Sequence, residues 1–327
     1  MNRRKLIHGL VGVALAVSIG SLTITHASAA TKEIVYLTPG LDLPFWRYLS
    51  EGIQKVAKDK GYDYQALDSH NSAQTQLRNA QDAIARGVAG IIISPTDSST
   101  APSVQQLAAA AKIPVVIADI GTNGGDYVSF IISDNYEGAK GVGEALAKAL
   151  KAKGWESGSV GLVTISQARK NGQARTAGFR DAMKTAGITK EAGLQQMQSY
   201  TADETFKFVQ DMITANPDMK SVWIQTDQPA IGALRAIKAA RKSDQMLVAA
   251  FDGIPEFVDL LKSGQIVATG MQQPYLMGEK SAESMFTYLG GGTPEKQILV
   301  PILVVTSENI DQVLPTVKET VFANEMK

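Results

Sequence analysis

Short, uninterrupted apolar runs are the feature that most constrains the fold of this chain. Ile91-Ile92-Ile93 and Val115-Val116-Ile117 contain only β-branched residues. Half-exposed antiparallel strands alternate apolar and polar residues, whereas strands of a parallel sheet are covered on both faces and form continuous apolar runs. Helical segments separate these runs and end at glycines, as at Gly61 and Gly87. The pattern predicts βαβ units and therefore an α/β fold.

The alternation of strands and helices occurs in two series. The first has predicted strands at 34–37, 62–67, 91–93 and 115–117 and predicted helices at about 44–60 and 75–86. The second begins with a long helix from Asn135 to about Lys153, and its apolar runs lie at 160–165, 222–224, 247–251 and 266–269. A final apolar run, Ile298 to Val305, is long enough to pass from one sheet toward the other. We therefore predict two doubly wound parallel-sheet lobes.

The N-terminal segment has the three parts of a secretory signal peptide. Arg3-Arg4-Lys5 precedes an apolar run from Leu10 to Leu22, and the small residues Ala27-Ser28-Ala29 follow. The run is shorter than the roughly 20 residues that a membrane-spanning helix needs. Cleavage near Ala29 is predicted, which places the product in the periplasm. The arginine pair leaves twin-arginine export open beside the general secretory route.

Charge and composition argue against several partners. The full chain has 32 basic and 32 acidic residues, and removal of residues 1–29 deletes three basic residues and no acidic one. The remaining chain is mildly acidic, whereas a nucleic-acid partner favours a basic face. The chain has no cysteine, so neither a disulfide framework nor a lipid anchor on cysteine is available. No nucleic-acid partner is expected, and a monomer is predicted.

No constellation of residues predicts catalysis, a cofactor or a metal. His70 is the only histidine outside the predicted signal peptide, and no nucleophile-elbow sequence accompanies it. Its polar surroundings favour a solvated loop position. Gly121 to Gly125 is typical of a turn rather than of a phosphate loop, and no calcium-loop pattern is present. We predict that the protein is not an enzyme.

Polar and aromatic residues follow the predicted strands, where open α/β sheets bind ligands. These residues are Asp42 to Trp46, Asp119, Gln167 to Arg175, Thr226, Asp227, Asp252 and Gln272. Carboxylates accept hydrogen bonds from hydroxyls, arginine donates several, an amide does both, and aromatic rings cover the apolar face of a sugar. The set is suited to hydroxyl recognition. Whether His70 and Asp42 reach the site is left open.

Seven motifs carry a family resemblance. They are Leu43-Pro44-Phe45-Trp46, Ser94-Pro95-Thr96-Asp97, Val116-Ile117-Ala118-Asp119, Ser133-Asp134-Asn135, Arg175-Thr176-Ala177-Gly178-Phe179, Ala233-Leu234-Arg235-Ala236 and Phe251-Asp252-Gly253. In order and spacing, from about residue 33 to 305, the chain resembles the ribose-binding-type periplasmic solute-binding proteins (type I fold) of sugar ABC importers. The resemblance implies two lobes joined by three hinge strands, with a sugar or polyol between them and a membrane permease as partner.

The resemblance also implies a set of ligand contacts. They fall on Phe45, Trp46, Asp119, Arg175, Tyr200, Asp252 and Gln272. Three further positions depart from the ribose pattern: Leu43 and Thr226 replace amides, and Ile120 replaces an arginine. A buried ribose hydroxyl left without a partner costs about 1–3 kcal/mol. We therefore expect a less polar or differently shaped ligand.

Several of these residues have structural alternatives. Phe45 could pack in the core at a helix start, and Tyr200 could be an aromatic residue of a surface loop. Asp134 and Asp227 precede predicted helices, where an acidic side chain caps the first amides. We interpret both as helix caps and leave them out of the predicted site.

The resemblance implies boundaries for the lobes and a mechanism. The first lobe is predicted at 31–133 plus 273–303 and the second at 134–272 plus 304–327. A ligand that contacts both lobes only when they are closed would shift the population toward the closed state. A periplasmic sensor that serves a membrane kinase or a chemoreceptor would use the same cleft, so that function stays an alternative.

Overall fold

The computed structural model describes residues 31–323, 325 and 326. The predicted signal peptide, residues 1–29, lies outside this range. None of the helices within the described range is long and apolar enough to cross a membrane.

Strands and helices alternate along the chain. The strands are β1 (Glu33–Thr38), β2 (Asp63–Asp68), β3 (Gly90–Ile93), β4 (Val115–Ala118), β5 (Phe130–Ser133), β6 (Ser159–Thr164), β7 (Glu191–Gln196), β8 (Met219–Ile224), β9 (Leu247–Phe251), β10 (Ala268–Met271), β11 (Gln297–Val300) and β12 (Leu303–Thr306). The helices are α1 (Pro44–Asp59), α2 (Ala73–Ala85), α3 (Ala101–Ala110), α4 (Asn135–Ala152), α5 (Lys170–Thr185), α6 (Ala202–Ala215), α7 (Pro229–Ala239), α8 (Phe257–Lys262), α9 (Pro274–Leu289) and α10 (Ile310–Thr320).

The strands form two six-stranded sheets. The first has the order β11-β5-β4-β3-β1-β2, and all of its strand pairs are parallel. The second has the order β12-β10-β9-β8-β6-β7, and only the pairing of β12 with β10 is antiparallel. All residues of β3 and β4 are buried. The predicted α/β fold with two mostly parallel sheets is confirmed.

Two strands were not predicted from the sequence. β7 forms an edge of the second sheet, and its Glu191, Gln195 and Gln196 are exposed. A strand with one free edge and little burial needs no continuous apolar run. β5 has an apolar run of three residues, but its Phe130 and Ile132 are partly exposed, unlike the fully buried β3 and β4. Strands with exposed residues therefore escape detection by hydrophobic pattern.

The chain passes between the sheets at three places. These are the link from β5 to α4, the link from β10 to α9, and the link from β11 to β12. Leu303 already pairs with Met271 in the second sheet, so the last passage comes slightly earlier than the predicted boundary after residue 303. We call the part built on the first sheet the first lobe and the part built on the second sheet the second lobe.

Helix packing in the first lobe holds the start of α1 in place. α1 crosses α9 so closely that a Cβ atom at Gly52 would lie 2.2 Å from the carbonyl oxygen of Tyr275. A Cβ atom at Gly278 would lie 2.1 Å from the carbonyl oxygen of Leu49. The two glycines permit this approach because they have no side chain. The crossing fixes the helix whose first turn carries Phe45 and Trp46.

Candidate functional site

A small cavity lies between the two lobes, at the carboxyl ends of their strands. Its lining residues are Leu43, Phe45, Trp46, Asp119, Ile165, Arg169, Asn171, Arg175, Tyr200, Thr226, Asp227, Asp252 and Gln272. The structure thus brings together nine of the ten residues that the sequence nominated. Their role as ligand contacts stays a prediction.

Two aspartates at strand ends have unusual backbone conformations. Asp119 follows β4 with a φ of 60°, and Asp252 follows β9 with a φ of 58°. The amide of Ile120 donates to the carbonyl of Ala118 at 2.8 Å, which closes a tight turn around Asp119. Few residues other than glycine adopt positive φ, and such conformations concentrate at functional sites. The turns hold both carboxylates at the cavity.

The tight turn also explains why Ile120 does not join the other predicted residues. The described residues that line the cavity do not include it. Its side chain is fully buried in the core of the first lobe, with Val116, Ala118 and Met277 in the same cluster. At the position where the ribose pattern has an arginine, this chain therefore has a core residue. The structure corrects the expectation that Ile120 faces the cleft.

Arg175 is the central residue among those that the second lobe contributes to the cavity. Its Nε donates to Asn135 Oδ1 at 2.7 Å, and Nη1 donates to the carbonyl of Gln225 at 2.9 Å. Nη1 also lies 3.5 Å from Asp252 Oδ2, and the guanidinium stacks over Phe251 at 4.1 Å from the ring centroid. The side chain is 2% exposed. These partners compensate a cation in the first turns of α5, where the helix dipole disfavours positive charge.

Burial raises the pKa values of the carboxyl groups at the cavity. It raises the pKa of Asp119 to about 6, although Arg175 lowers this pKa. Burial and the neighbouring Asp252 raise the pKa of Asp227 to about 7. The pKa of Asp252 is also raised by burial, against the lowering effect of Arg175. The charged forms are therefore disfavoured until a donor pairs with them.

Three acceptor atoms at the cavity are buried without a hydrogen-bond partner among the described residues. They are Asp119 Oδ1, Asp227 Oδ2 and Gln272 Oε1. Neighbouring polar atoms do have hydrogen-bond partners. Asp119 Oδ2 accepts from Asn171 at 3.0 Å, and Asp252 Oδ1 accepts from Gln272 Nε2 at 2.8 Å. A buried acceptor without a partner costs about 1–3 kcal/mol. The cavity can therefore gain stability from a molecule that supplies donors.

Aromatic side chains form the apolar part of the wall. Phe45 and Trp46 lie edge to face with ring centroids 4.7 Å apart, and both are at least nine-tenths buried. Phe45 and Trp46 also belong to the core cluster of the first lobe, so the packing and lining roles coexist. Tyr200 adopts a φ of 56° and is buried, so it is not an exposed aromatic residue of a surface loop. Flat rings at these positions suit the apolar face of a sugar ring.

Arg169 and Asn171 were missed as individual site residues, although the span from Gln167 to Arg175 after β6 had been marked as a strand end. Both cross the cleft from the second lobe to the first. Arg169 Nε donates to the carbonyl of Thr96 at 2.8 Å, and Nη2 donates to Asn71 Oδ1 at 2.9 Å. Asn171 donates to Asp119. The only sequence signal for Arg169 and Asn171 is their position after a strand. Their contacts with the first lobe are visible only in the folded structure.

An outer cavity of about 200 Å³ adjoins the inner one. Leu43, Trp46, Arg169 and Tyr200 line both cavities. Asp42 and His70 line only the outer cavity, which answers where these two residues lie. The imidazole of His70 is 80% exposed, as the loop interpretation predicted.

The two acidic residues interpreted as helix caps differ. Asp134 accepts from the amide of Glu137 at 3.2 Å and caps α4, as predicted. Asp227 accepts from the amide of Gln228 at 2.7 Å, but it also lines the cavity. The N-cap of α7 is Gln228, and no side chain caps that helix, so the interpretation of Asp227 as a helix cap is wrong. In the described part of the chain, no group of three or more side chains is arranged to hold a metal ion.

Comparisons with known proteins agree with this geometry. The family model described as "Periplasmic binding protein domain" matches residues 34–293. The chain belongs to this family, and it is a binding protein rather than an enzyme. Membership of a periplasmic family implies a periplasmic location.

Particular relatives extend the comparison. The ribose import binding protein of Salmonella typhimurium is 34% identical over 312 residues, which cover 94% of this chain and all of the relative. The D-apiose import binding protein of Paraburkholderia graminis is 32% identical and covers 88% of this chain and 92% of its own length. A carbohydrate transporter solute-binding protein of Agrobacterium radiobacter, solved in complex with D-arabinose, has a TM-score of 0.82 at 26% identity, covering 90% of this chain and all of that one.

Proposed function

We propose that this protein is the periplasmic solute-binding component of an ABC importer and that it binds a sugar, deoxy sugar or polyol in the cavity between its lobes. The observation that carries the proposal is the buried cavity whose polar groups come from both lobes, Asp119 from the first and Arg175 and Asp252 from the second. Relatives at 34% and 32% identity are import binding proteins named for ribose and D-apiose.

The binding mechanism follows from the two-lobed arrangement. A ligand that bonds to Asp119 and to Arg175 or Asp252 gains all of its contacts only when the lobes are closed. Its higher affinity for that state shifts the population toward closure. The membrane permease then recognises the surface of the closed protein. The three links between the lobes act as the hinge of the movement.

Arg169 should control how long a bound sugar is retained. We expect Arg169→Ala to raise the dissociation rate about tenfold or more, because its charged side chain spans the lobes with two hydrogen bonds and such bonds contribute about 1.5–3 kcal/mol each. Stopped-flow tryptophan fluorescence measures the rate, since Trp46 lines the cavity. Lys184→Ala, in the last turn of α5, the helix that begins just after Arg169, is the control. An unchanged dissociation rate in Arg169→Ala would contradict this role.

A thermal-shift screen tests the proposed function. The panel contains D-ribose, D-apiose, D-arabinose, D-allose, deoxy sugars and polyols, with acidic and basic amino acids as negative controls. A sugar at one hundred times its dissociation constant should stabilise the folded protein by about 2.7 kcal/mol. Asp119→Asn should reduce the shift, because Asp119 Oδ1 is one of the buried acceptors. A protein that responds to amino acids and to no sugar or polyol would refute the proposal.

The proposal also includes cleavage of the signal peptide and the oligomeric state of the mature protein. Residues 1–29 act as a signal peptide that is cleaved near Ala29, and the mature protein works as a monomer without a nucleic-acid partner. The basic, apolar and small-residue parts of the segment support cleavage. Intact-mass measurement of protein from the periplasmic fraction, together with light scattering, tests both statements. A retained N-terminus or a stable dimer would overturn the corresponding one.

A further inference from the structure

Asp227 lies between β8 and α7 with its two carboxylate oxygens in different situations. Oδ1 accepts from the amide of Gln228 at 2.7 Å and from the hydroxyl of Thr226 at 3.3 Å. Oδ2 is buried and has no hydrogen-bond partner in the part of the chain that the structure describes. The residue is 1% exposed and lines the inner cavity. The bonds to Gln228 and Thr226 account for one oxygen and leave the other to be explained.

The charges around Asp227 do not supply the missing partner. The hydroxyl of Thr226 also lies 3.3 Å from Asp252 Oδ2, so two carboxylates share one donor. Among the described residues, the hydrogen bonds of Arg175 go to Asn135, Gln225 and Asp252 rather than to Asp227. The other charged or titratable groups that face this region are Asp119, Arg169, Tyr200 and Tyr48. Asp227 is therefore a buried acceptor beside a like charge.

We propose that Asp227 contacts the bound ligand directly and that its Oδ2 accepts a hydrogen bond from a hydroxyl group of the sugar or polyol. This inference rests on the proposed function and narrows the substrate class. The ligand serves three buried acceptors, Asp119 Oδ1, Asp227 Oδ2 and Gln272 Oε1, so it carries at least three hydrogen-bond donors. Sugars that are O-methylated or deoxygenated at the hydroxyl facing Asp227 bind weakly.

The contact has a consequence for protons. A hydrogen bond donated to a carboxylate favours its ionised form and lowers its pKa. Burial and Asp252 raise the pKa of Asp227 before binding, so its carboxyl holds a proton more readily than an exposed aspartate does. A hydroxyl that donates to Oδ2 lowers this pKa, and binding then releases protons.

Isothermal titration calorimetry at pH 7 tests the proposal with D-ribose, D-apiose, D-arabinose and D-allose. Each titration is run in two buffers of different ionisation enthalpy, which reveals the number of protons released. The test variant is Asp227→Asn, whose amide oxygen can still accept from Gln228. The matched control is Asp134→Asn, because Asp134 caps α4 and does not line the cavity. Asp227→Asn should weaken binding at least tenfold and reduce the proton release, and Asp134→Asn should change neither.

The outcomes separate the inference from the proposed function. If a panel sugar binds the wild type and Asp227→Asn keeps both its affinity and its proton release, Asp227 only supports the turn before α7 and the inference is overturned. If no panel sugar binds the wild type, the proposed function fails for this class and the inference fails with it. Should Asp227→Asn not fold, Asp227→Ser replaces it, since the serine hydroxyl also accepts from the amide of Gln228. The same two readouts then decide.

Discussion

Replacing Arg175 with methionine should lower the free energy of unfolding by about 3 kcal/mol or more at pH 7. The change removes the cation from a buried pair and leaves Asp252 without its counter-ion, which costs about 3–5 kcal/mol. It should also abolish sugar binding, because the guanidinium donors of Arg175 at the cavity are lost. The loss of stability should be smaller at pH 5. Without Arg175, which lowers the pKa of Asp252, that carboxyl takes up a proton more readily as the pH falls.

Urea denaturation at both pH values measures this effect, and α5 provides its own control. Arg180 lies on the same helix but pairs with Glu191 at the surface, where its side chain is 46% exposed. Exposed ion pairs contribute about 0–1 kcal/mol. Arg180→Met should therefore cost little at either pH. Equal losses for the two variants would show that Arg175 is not the organising cation of the site.

The second large expected effect is a change in the affinity of the site for D-ribose. Leu43 and Thr226 stand where the ribose pattern has amides, and both line the cavity. The wild type should bind D-ribose weakly, about a hundredfold worse than its preferred ligand, because hydroxyls without partners cost about 1–3 kcal/mol each. The double variant Leu43→Asn with Thr226→Asn should raise the affinity for D-ribose at least tenfold. Sites that bond to hydroxyls discriminate strongly, whereas apolar pockets discriminate weakly.

Competition calorimetry with D-ribose decides this prediction. Ile120 is left unchanged because it is fully buried in the core, and an arginine there would bury a charge. Leu107→Asn, at a partly exposed surface leucine of α3, is a control for adding an amide away from the cavity. Tight D-ribose binding by the wild type would contradict the prediction and would mean that other groups, such as Asn171 or Asp227, supply the hydrogen bonds.

The sequence was sufficient for much of the fold because continuous burial leaves a readable pattern. β3, β4 and β9 are buried along their whole length and coincide closely with apolar runs. The run from Ile298 to Val305 resolves into β11 in one sheet and β12 in the other, as its length indicated. β7 was not detected because an exposed edge strand imposes little demand on composition.

The site was predictable where a residue's place at a strand end determined its surroundings. Asp119 and Asp252 follow β4 and β9, and both line the cavity. Ile120 shows the limit of that reasoning, since a tight turn of one residue separates a cavity residue from a core residue. Arg169 shows another limit, because its partners Thr96 and Asn71 belong to the other lobe. Contacts that form only after two lobes meet leave no local signal.

The central claim is that one small polyhydroxylated molecule binds between the lobes and contacts both. A crystal structure of the protein grown with the sugar that gives the largest thermal shift tests it most directly. We predict electron density for that sugar in the inner cavity, with a hydroxyl within about 3 Å of Asp119 Oδ1 and further hydroxyls at Arg175 and Asp252. Density for the sugar only at the outer cavity, or bonded to one lobe alone, would contradict the account.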